Sequence, residues 1–348
     1  MSSSPKKIVI EALAAGYIPC GLREYAFQVC TRLVARKPDW MHLTFIVPPA
    51  MSGCFGEGAD YIEAGELKAR MMRNLPLVKA DLFHALHQIC KVKTLPGVPH
   101  RLMTVHDINF AHTKTGRSFR HAEGRFLARL GKATHLAFIS RFVAGDVAGS
   151  YTITQPSRII YNGVTAPDVT RECRPAAVPE GGYLLHLSSL DEYKNARLLV
   201  EMMDYLPDRK LVLAGNCKDN GLAEMAARRK NVIMTGRVSE EEKIWLYNHC
   251  DAFLFPSKAE GFGLPPIEVM HLGKPVFLST LTSLPEVGGD EAFYWPELTP
   301  EAMARQVVLR LATPRNPESL KAHARGFSWD NTVEQYLNYY ADILNGDN

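Results

Sequence analysis

A chain of 348 residues, 46% apolar and with a net charge of only +3, can bury the cores of two ordinary globular domains. No run reaches the roughly 18 apolar residues of a membrane-spanning helix, and Glu11 breaks the early apolar stretch where a secretory leader would continue, so a cytoplasmic chain is expected. The seven cysteines, odd in number and without a C-x-x-C pair, read as free thiols of a reducing compartment and not as a disulfide framework or metal site.

Residues 7–10 read as a first strand, followed by a loop from Gly16 to Gly21 and a helix over 22–33 in which Tyr25, Val29 and Leu33 recur at helical spacing. A glycine loop at this position is the usual ligand site of an open α/β sheet. It lacks G-x-G-x-x-G, which disfavours an ordinary dehydrogenase. A second strand is expected over 42–47, whereas residues 50–75, glycine-rich and then rich in Met and charge, yield no assignment. Residues 101–108 form a further buried strand ending in His106-Asp107. A lone histidine at a strand end is most often structural, although a strand terminus of this kind faces the crevice of the sheet.

Over 114–132, six basic residues are interleaved with Phe119, Phe126 and Leu130, as in an amphipathic helix with a basic exterior. The bases share no single clean face, so a solvated helix is the simpler reading and membrane contact the sharper one. Residues 1–170 carry 21 Lys and Arg against 12 Asp and Glu, a charge of +9, which leaves −6 on the remainder. Such a basic half suits an anionic membrane surface or a phosphorylated acceptor; chance and solvated helices also account for it. Nucleic acid is not an expected partner.

A strand–serine element over 137–142, a helix over 143–151 and the turn Asn162-Gly163 close a first domain. Residues 165–182, with Pro167, Pro175, Pro179 and Gly181-Gly182 and no periodicity, read as a linker. A second domain opens with a strand over 183–187, then Lys194-Asn195 and a helix over 196–203. Strands over 210–215 and 231–238 follow, and Ser239 with three glutamates makes a good helix start. The apolar run 251–256 is a buried strand. Gly261 and Gly263 then form a tight loop, Pro265 and Pro266 suit the first turn of a helix, and Gly273 and Pro275 end it before a strand over 276–279. Such a helix start attracts anions, and Glu260 and Glu268 beside it offer acceptors to sugar or ribose hydroxyls. On spacing alone, a plain Rossmann-type turn with two solvated glutamates fits as well. In the tail, Val333, Tyr336, Leu337, Tyr340 and Leu344 make a helical apolar stripe.

The string Glu260-Gly-Phe-Gly-Leu-Pro-Pro-Ile-Glu268, continued by Gly273-Lys-Pro-Val and Ser283-Leu-Pro-Glu-Val287, resembles the signature of the retaining, family 4 glycosyltransferases (glycosyl transferases group 1) of the GT-B fold. Matching elements elsewhere extend the resemblance over nearly the whole chain, residues 50–75 being the main gap. It implies an α/β protein of two Rossmann-like domains whose parallel sheets face an interdomain cleft. Residues 1–165 plus 330–348 would form the acceptor domain, completed by a Ser-Trp helix that crosses back, and 166–329 the nucleotide-sugar domain.

On this resemblance Glu260 holds donor-sugar hydroxyls, while Gly261, Phe262, Gly263 and Leu264 present backbone N–H groups to sugar and phosphate. Glu268 binds the ribose diol, Lys194 with Asn195 the diphosphate, and the backbone near Val238 the base. Gly21 opens the first helix at the cleft, His106 lies near the donor sugar and reacting centre, and Asp107 and Tyr25 lie on the acceptor side. Relatives often carry an arginine before the lysine; here Ser188-Ser189 stand there, and Arg237 is the candidate substitute. The implied reaction moves a hexose from a nucleotide sugar to an acceptor hydroxyl with retention, and fixed donors at the leaving diphosphate stabilise its growing charge. No Asp-x-Asp motif sits at a suitable strand end, so neither metal nor any cofactor beyond the nucleotide-sugar substrate is expected. Resemblance to bacterial surface-polysaccharide mannosyltransferases favours GDP-mannose, with UDP- and dTDP-sugars open. The acceptor would be a glycan or lipid-linked glycan, with peripheral contact at the inner membrane face suiting the basic half. A sugar-nucleotide epimerase, a phosphorylase-like enzyme on the same fold and a non-catalytic sugar-binding protein are the rivals.

Overall fold

The computed structural model describes residues 4–17, 20–72, 74–178 and 180–346; Ile18 and Pro19 of the expected glycine loop and Pro179 of the linker lie outside the described residues. The chain divides into two compact units, 1–163 with 328–348 and 164–327, each join two residues before the expected boundary.

In the first unit, strands β1 (Lys6–Glu11), β2 (Met41–Val47), β3 (Asp60–Glu63), β4 (Leu82–Ala85), β5 (His100–Val105), β6 (His135–Phe138) and β7 (Ser157–Ile159) form one parallel sheet in the order β3-β2-β1-β4-β5-β6-β7. Its helices are α1 (Gly21–Arg36), α2 (Glu66–Met72), α3 (Asn109–Thr113), α4 (Gly116–Leu130) and α5 (Arg141–Ser150). The unassigned stretch 50–75 thus supplies the edge strand β3 and the short α2. The basic helix expected over 114–132 is α4, shorter and preceded by the separate α3.

The second unit is a six-stranded parallel sheet, β10-β9-β8-β11-β12-β13, built from β8 (Leu184–Leu187), β9 (Leu211–Ala214), β10 (Val232–Gly236), β11 (Ala252–Phe255), β12 (Val276–Ser279) and β13 (Phe293–Trp295). Around it lie α6 (Ala196–Met202), α7 (Asn220–Ala227), α8 (Glu240–His249), α9 (Leu264–Met270), α10 (Leu284–Gly288), α11 (Pro300–Ala312) and α12 (Pro317–Arg325). The four central residues of β9, β11 and β12 are all buried, which is why these segments read as continuous apolar runs and not as alternating ones. Ser239 caps α8 through a capping box with Glu242, as its sequence suggests.

The last helix, α13 (Trp329–Asn345), belongs to the first unit, where Val333, Tyr336, Tyr340 and Ile343 enter the core with Tyr25, Val29 and Leu33 of α1. Burying each such side chain contributes about 1.5–3 kcal/mol. A polar chain threads this core: Tyr25 and Tyr336 share a hydroxyl hydrogen bond of 2.6 Å, Tyr336 meets Thr104 at 2.8 Å, and His84 bonds Thr104 at 2.8 Å and the Tyr340 hydroxyl at 2.7 Å. Gly163 is required where α13 begins, because a Cβ there would lie 2.1 Å from the backbone nitrogen of Trp329.

In each sheet the strand order reverses at one place, between β1 and β4 in the first unit and between β8 and β11 in the second. Ligands of open parallel sheets bind outside the carboxyl ends of the strands at such switch points.

Candidate functional site

At the switch point of the second unit, the loops that follow the paired strands β8 and β11 bring Lys194 and Glu260 together. The Lys194 Nζ lies 2.6 Å from the Glu260 Oε1, with side chains 13% and 11% exposed. Two rings flank the ammonium, Tyr193 at 4.9 Å and Phe255 at 5.4 Å. Burial works against the charged Lys194, but the attraction of Glu260 and smaller help from Tyr193 and Asp191 outweigh it, so its pKa is raised. Next in the chain, Asn195 takes a left-handed conformation, φ 60°, which asparagine tolerates better than most residues, and its amide reaches the Pro256 carbonyl at 3.4 Å. The β8 loop is thereby tied to the β11 loop.

The glycine loop is pinned from below. Ser283 donates its hydroxyl to the carbonyls of Glu260 and Phe262, each at 3.0 Å. The Phe262 ring is buried edge-on against Phe327 at 5.6 Å. Gly261 lies between them, and Gly263, at φ 98°, turns the chain into Leu264 and α9. A Cβ on Gly263 would meet the Leu284 Cδ2 at 2.9 Å, so both backbone and space demand glycine.

One turn into α9, Glu268 is not the solvated glutamate of the bland expectation. Its Oε2 accepts from the buried Tyr247 hydroxyl at 3.0 Å, and its Oε1 lies 3.5 Å from the Lys243 Nζ. Burial first, and then Glu268, push the Tyr247 hydroxyl well above its usual pKa, so it stays a donor. Sequence reasoning passed over Lys243 and Tyr247. Their four-residue spacing on α8 was the available signal, but only the packing of α8 beside α9 gives it meaning. Half-buried Val238 precedes the α8 cap Ser239, so the expected base position and Glu268 lie along neighbouring helices. Arg237 is exposed after the edge strand β10. Two strand spacings, about 10 Å, separate β10 from β8, whose following loop carries Lys194.

In the first unit, His106 follows β5 and is buried. Its Nε2 donates to the Leu86 carbonyl at 2.9 Å, which fixes the tautomer and leaves Nδ1 an acceptor. Burial lowers its pKa to about 4, so the ring is neutral at pH 7. Gln88, not anticipated from the sequence, accepts from the His106 amide at 3.0 Å and donates to the Asp107 carbonyl at 2.8 Å. The half-buried Asp107 accepts the Asn109 amide at 3.0 Å. Gly21, exposed, is the first residue of α1. Tyr25 corrects the sequence expectation. It is buried, its hydroxyl is committed to Tyr336, and its ring meets the His106 ring edge-on at 4.5 Å. It supports the histidine from within the core instead of meeting an acceptor, because α1 turns this position inward.

Beneath the first switch point, Glu11, His87 and Cys90 come within 4.8 Å of one another, all buried. The Glu11 Oε1 accepts the Lys91 amide at 3.0 Å, while Oε2 and the His87 Nε2 have no partner. The His87 Nδ1 accepts the Ile89 amide at 3.2 Å, so in the neutral ring Nε2 carries the proton. A nitrogen holding its proton faces a carboxylate here, which suits a bridging water better than a metal ion.

Residues 174–327 match the glycosyl transferases group 1 family. The O-antigen chain mannosyltransferase B of Escherichia coli is 27% identical over 96% of this chain and 99% of that protein. The serotype-specific mannosyltransferase WbdA of Escherichia coli is 32% identical over 47% of this chain and 22% of that protein. Of solved structures, sucrose-phosphate synthase from Thermosynechococcus elongatus superposes with a TM-score of 0.74 at 16% identity, over 98% of this chain and 100% of that one. Anabaena HepE in complex with UDP and glucose reaches 0.71 at 15% identity, over 97% and 100%. The match to the glycosyl transferases group 1 family thus lies in the second unit, and the two-sheet fold of the whole chain is the one shared by these solved structures.

Proposed function

We propose that the chain transfers mannose from GDP-mannose to a hydroxyl of a glycan or lipid-linked glycan, with retention at the anomeric carbon, in the synthesis of a surface polysaccharide. The observation that carries this reading is the buried Lys194–Glu260 pair at the switch point of the second sheet, with Glu268 one turn into the adjoining helix. Likeness to an O-antigen chain mannosyltransferase over almost the full length of both chains supports the sugar and the product class.

In this reading the diphosphate takes the Lys194 ammonium, and Glu260, released from it, accepts donor-sugar hydroxyls. The loop from Gly261 to Leu264 lies along sugar and phosphate, Glu268 accepts the ribose diol, and the backbone at Val238 meets the base. Departure of the nucleotide concentrates charge on the diphosphate, where an ammonium already in place stabilises it without reorganisation. The departing phosphate takes the acceptor proton on the face it leaves. In this reading the Lys194 ammonium and the backbone N–H groups of the glycine loop meet the charge of the diphosphate in place of a metal ion.

Thermal unfolding with GDP, UDP, dTDP, ADP and NAD in turn tests the reading. A nucleotide at a hundred times its dissociation constant stabilises by about 2.7 kcal/mol. A response to GDP alone is expected. A response only to UDP or dTDP would replace the donor, and none to any nucleoside diphosphate would overturn the site. Donor converted to another sugar nucleotide without acceptor would mark an epimerase.

A further inference from the structure

In the first unit two buried polar groups meet without satisfying each other. Glu11 ends β1, and its register partner across the sheet is Ala85, the last residue of β4. His87 follows two residues later. The two side chains therefore meet at the carboxyl ends of the strands between which the order of the sheet reverses. Open parallel sheets take their ligands at such a place.

One half of each group is committed. The Glu11 Oε1 accepts the amides of Lys91 and Val92 at 3.0 and 3.4 Å, and the His87 Nδ1 accepts that of Ile89 at 3.2 Å. The other half, Oε2 and Nε2, is covered and has no protein partner, although the two groups come within 4.8 Å of one another. Buried polar atoms are nearly always paired, so two orphans side by side call for a partner from outside the chain. That partner must suit an N–H donor facing a carboxylate. A hydroxyl does, since its oxygen accepts from Nε2 and its hydrogen goes to Oε2. Burial raises the Glu11 pKa, and hydrogen bonds from the Cys90 thiol and backbone amides oppose the rise. A hydroxyl serves the protonated acid as well, because its oxygen has a second lone pair.

Beside the pair stands Tyr17, half-buried, its ring centroid 6.1 Å from that of His87. Its carbonyl accepts from Arg23, but its hydroxyl makes no hydrogen bond among the described residues, so packing alone holds the ring. A few placed polar groups beside an aromatic face are what orients a small ligand in a pocket.

We propose that Glu11 and His87 hold one hydroxyl of a pyranose ring, with Tyr17 turned aside to lie along that ring, as a subsite for the sugar acceptor. Naming that sugar the acceptor rests on the transfer proposed above; the binding itself does not.

The test is a titration of the full chain with methyl α-mannoside, methyl α-glucoside, methyl α-galactoside and methyl N-acetyl-α-glucosaminide, read by saturation-transfer NMR without nucleotide. At least one should bind. Glu11→Gln keeps the shape and the bonds to Lys91 and Val92, but sets an amide donor against the His87 donor and leaves the sugar hydrogen without an acceptor. Affinity for that glycoside should fall about tenfold or more. Tyr17→Ala should also weaken binding, and Tyr17→Phe should not. One monodeoxy form of the glycoside should lose as much with the parent as Glu11→Gln loses with the full sugar, and combining the two should cost no more than either alone. Matching circular dichroism shows that the variants fold. Binding of no glycoside, parent-like binding by Glu11→Gln, or additive losses for every deoxy form would overturn the proposal, the last leaving a trapped water only. Parent-like binding by Tyr17→Ala would overturn it too, and decides the matter should Glu11→Gln not fold. Glycoside binding of the expected kind by a protein that ignores GDP would overturn the transfer reading and leave the subsite standing.

Discussion

Replacing Glu260 by glutamine separates its two proposed roles. In the free protein its carboxylate neutralises Lys194 at 2.6 Å, with both side chains almost out of water. A diphosphate must displace that carboxylate from the ammonium. Glutamine keeps the shape and one weaker hydrogen bond, but the competing charge is gone. Removing one partner of a buried ion pair costs about 3–5 kcal/mol of stability, and an isosteric amide that still accepts a hydrogen bond should hold the loss nearer 1–3 kcal/mol. Glu260→Gln should therefore melt earlier alone, and GDP should restore more of its stability than it adds to the parent, because the diphosphate supplies the missing countercharge. GDP affinity should stay level or tighten while transfer falls by about 100-fold or more, the scale of one lost transition-state contact. Lys194→Ala should do the opposite to binding, losing a charge-assisted contact of about 1.5–3 kcal/mol, roughly 10- to 150-fold in affinity. Calorimetric titration of GDP into the parent and both variants decides the matter. If Glu260→Gln loses as much GDP affinity as Lys194→Ala, the carboxylate is part of the diphosphate site and the exchange of partners is wrong.

Two further outcomes follow from the burial of titratable groups. Burial holds His84 and His87 at pKa values of about 3 and His106 and His186 at about 4, so the fold keeps all four neutral. A base lowered in the folded state contributes fully above its unfolded value near 6.5, and its contribution is lost as pH falls towards the folded value; at pH 5 the loss is about 2 kcal/mol for each. Three of these histidines lie in the first unit and one in the second, so hydrogen exchange at pH 5 should show the first unit opening before the second. Glu11, raised by its burial, works in the other sense and blunts the effect. Opening of the second unit first would refute the assignment. Separately, Tyr247→Phe removes the donor that orients the Glu268 Oε2, and GDP affinity should fall by up to about tenfold. The same variant should bind a GDP analogue lacking the ribose diol as the parent does; an equal loss with both ligands would show that Tyr247 acts elsewhere.

Much of the site could be read from the chain before its structure was known. Glycine, two prolines and Glu268 at their spacing mark a strand, tight turn and helix start, and Gly263 at φ 98° is where that reading needs it. The reading stopped where a residue's meaning depends on a partner far along the chain. Tyr25 has the spacing of a helix face either way, and only α13, more than 300 residues later, covers it. Lys194 and Glu260, 66 residues apart, each looked like an exposed charge awaiting a ligand, yet they neutralise each other. The residues of 50–75 carry no clear periodicity because β3 is a half-buried edge strand and α2 only two turns long.

Local chemistry therefore settled the alternation of strands and helices, the capped start of α8, the proline-led start of α9, the glycine turn and the likeness to a glycosyltransferase signature. These depend on backbone preferences and side-chain periods that act over a few residues. Tertiary structure alone decided which charges pair, which tautomer His106 holds, that α13 completes the first unit, and that Glu11 meets His87 at the first switch point. Those outcomes depend on desolvation and on contacts closed across long loops, and no short stretch of sequence contains either.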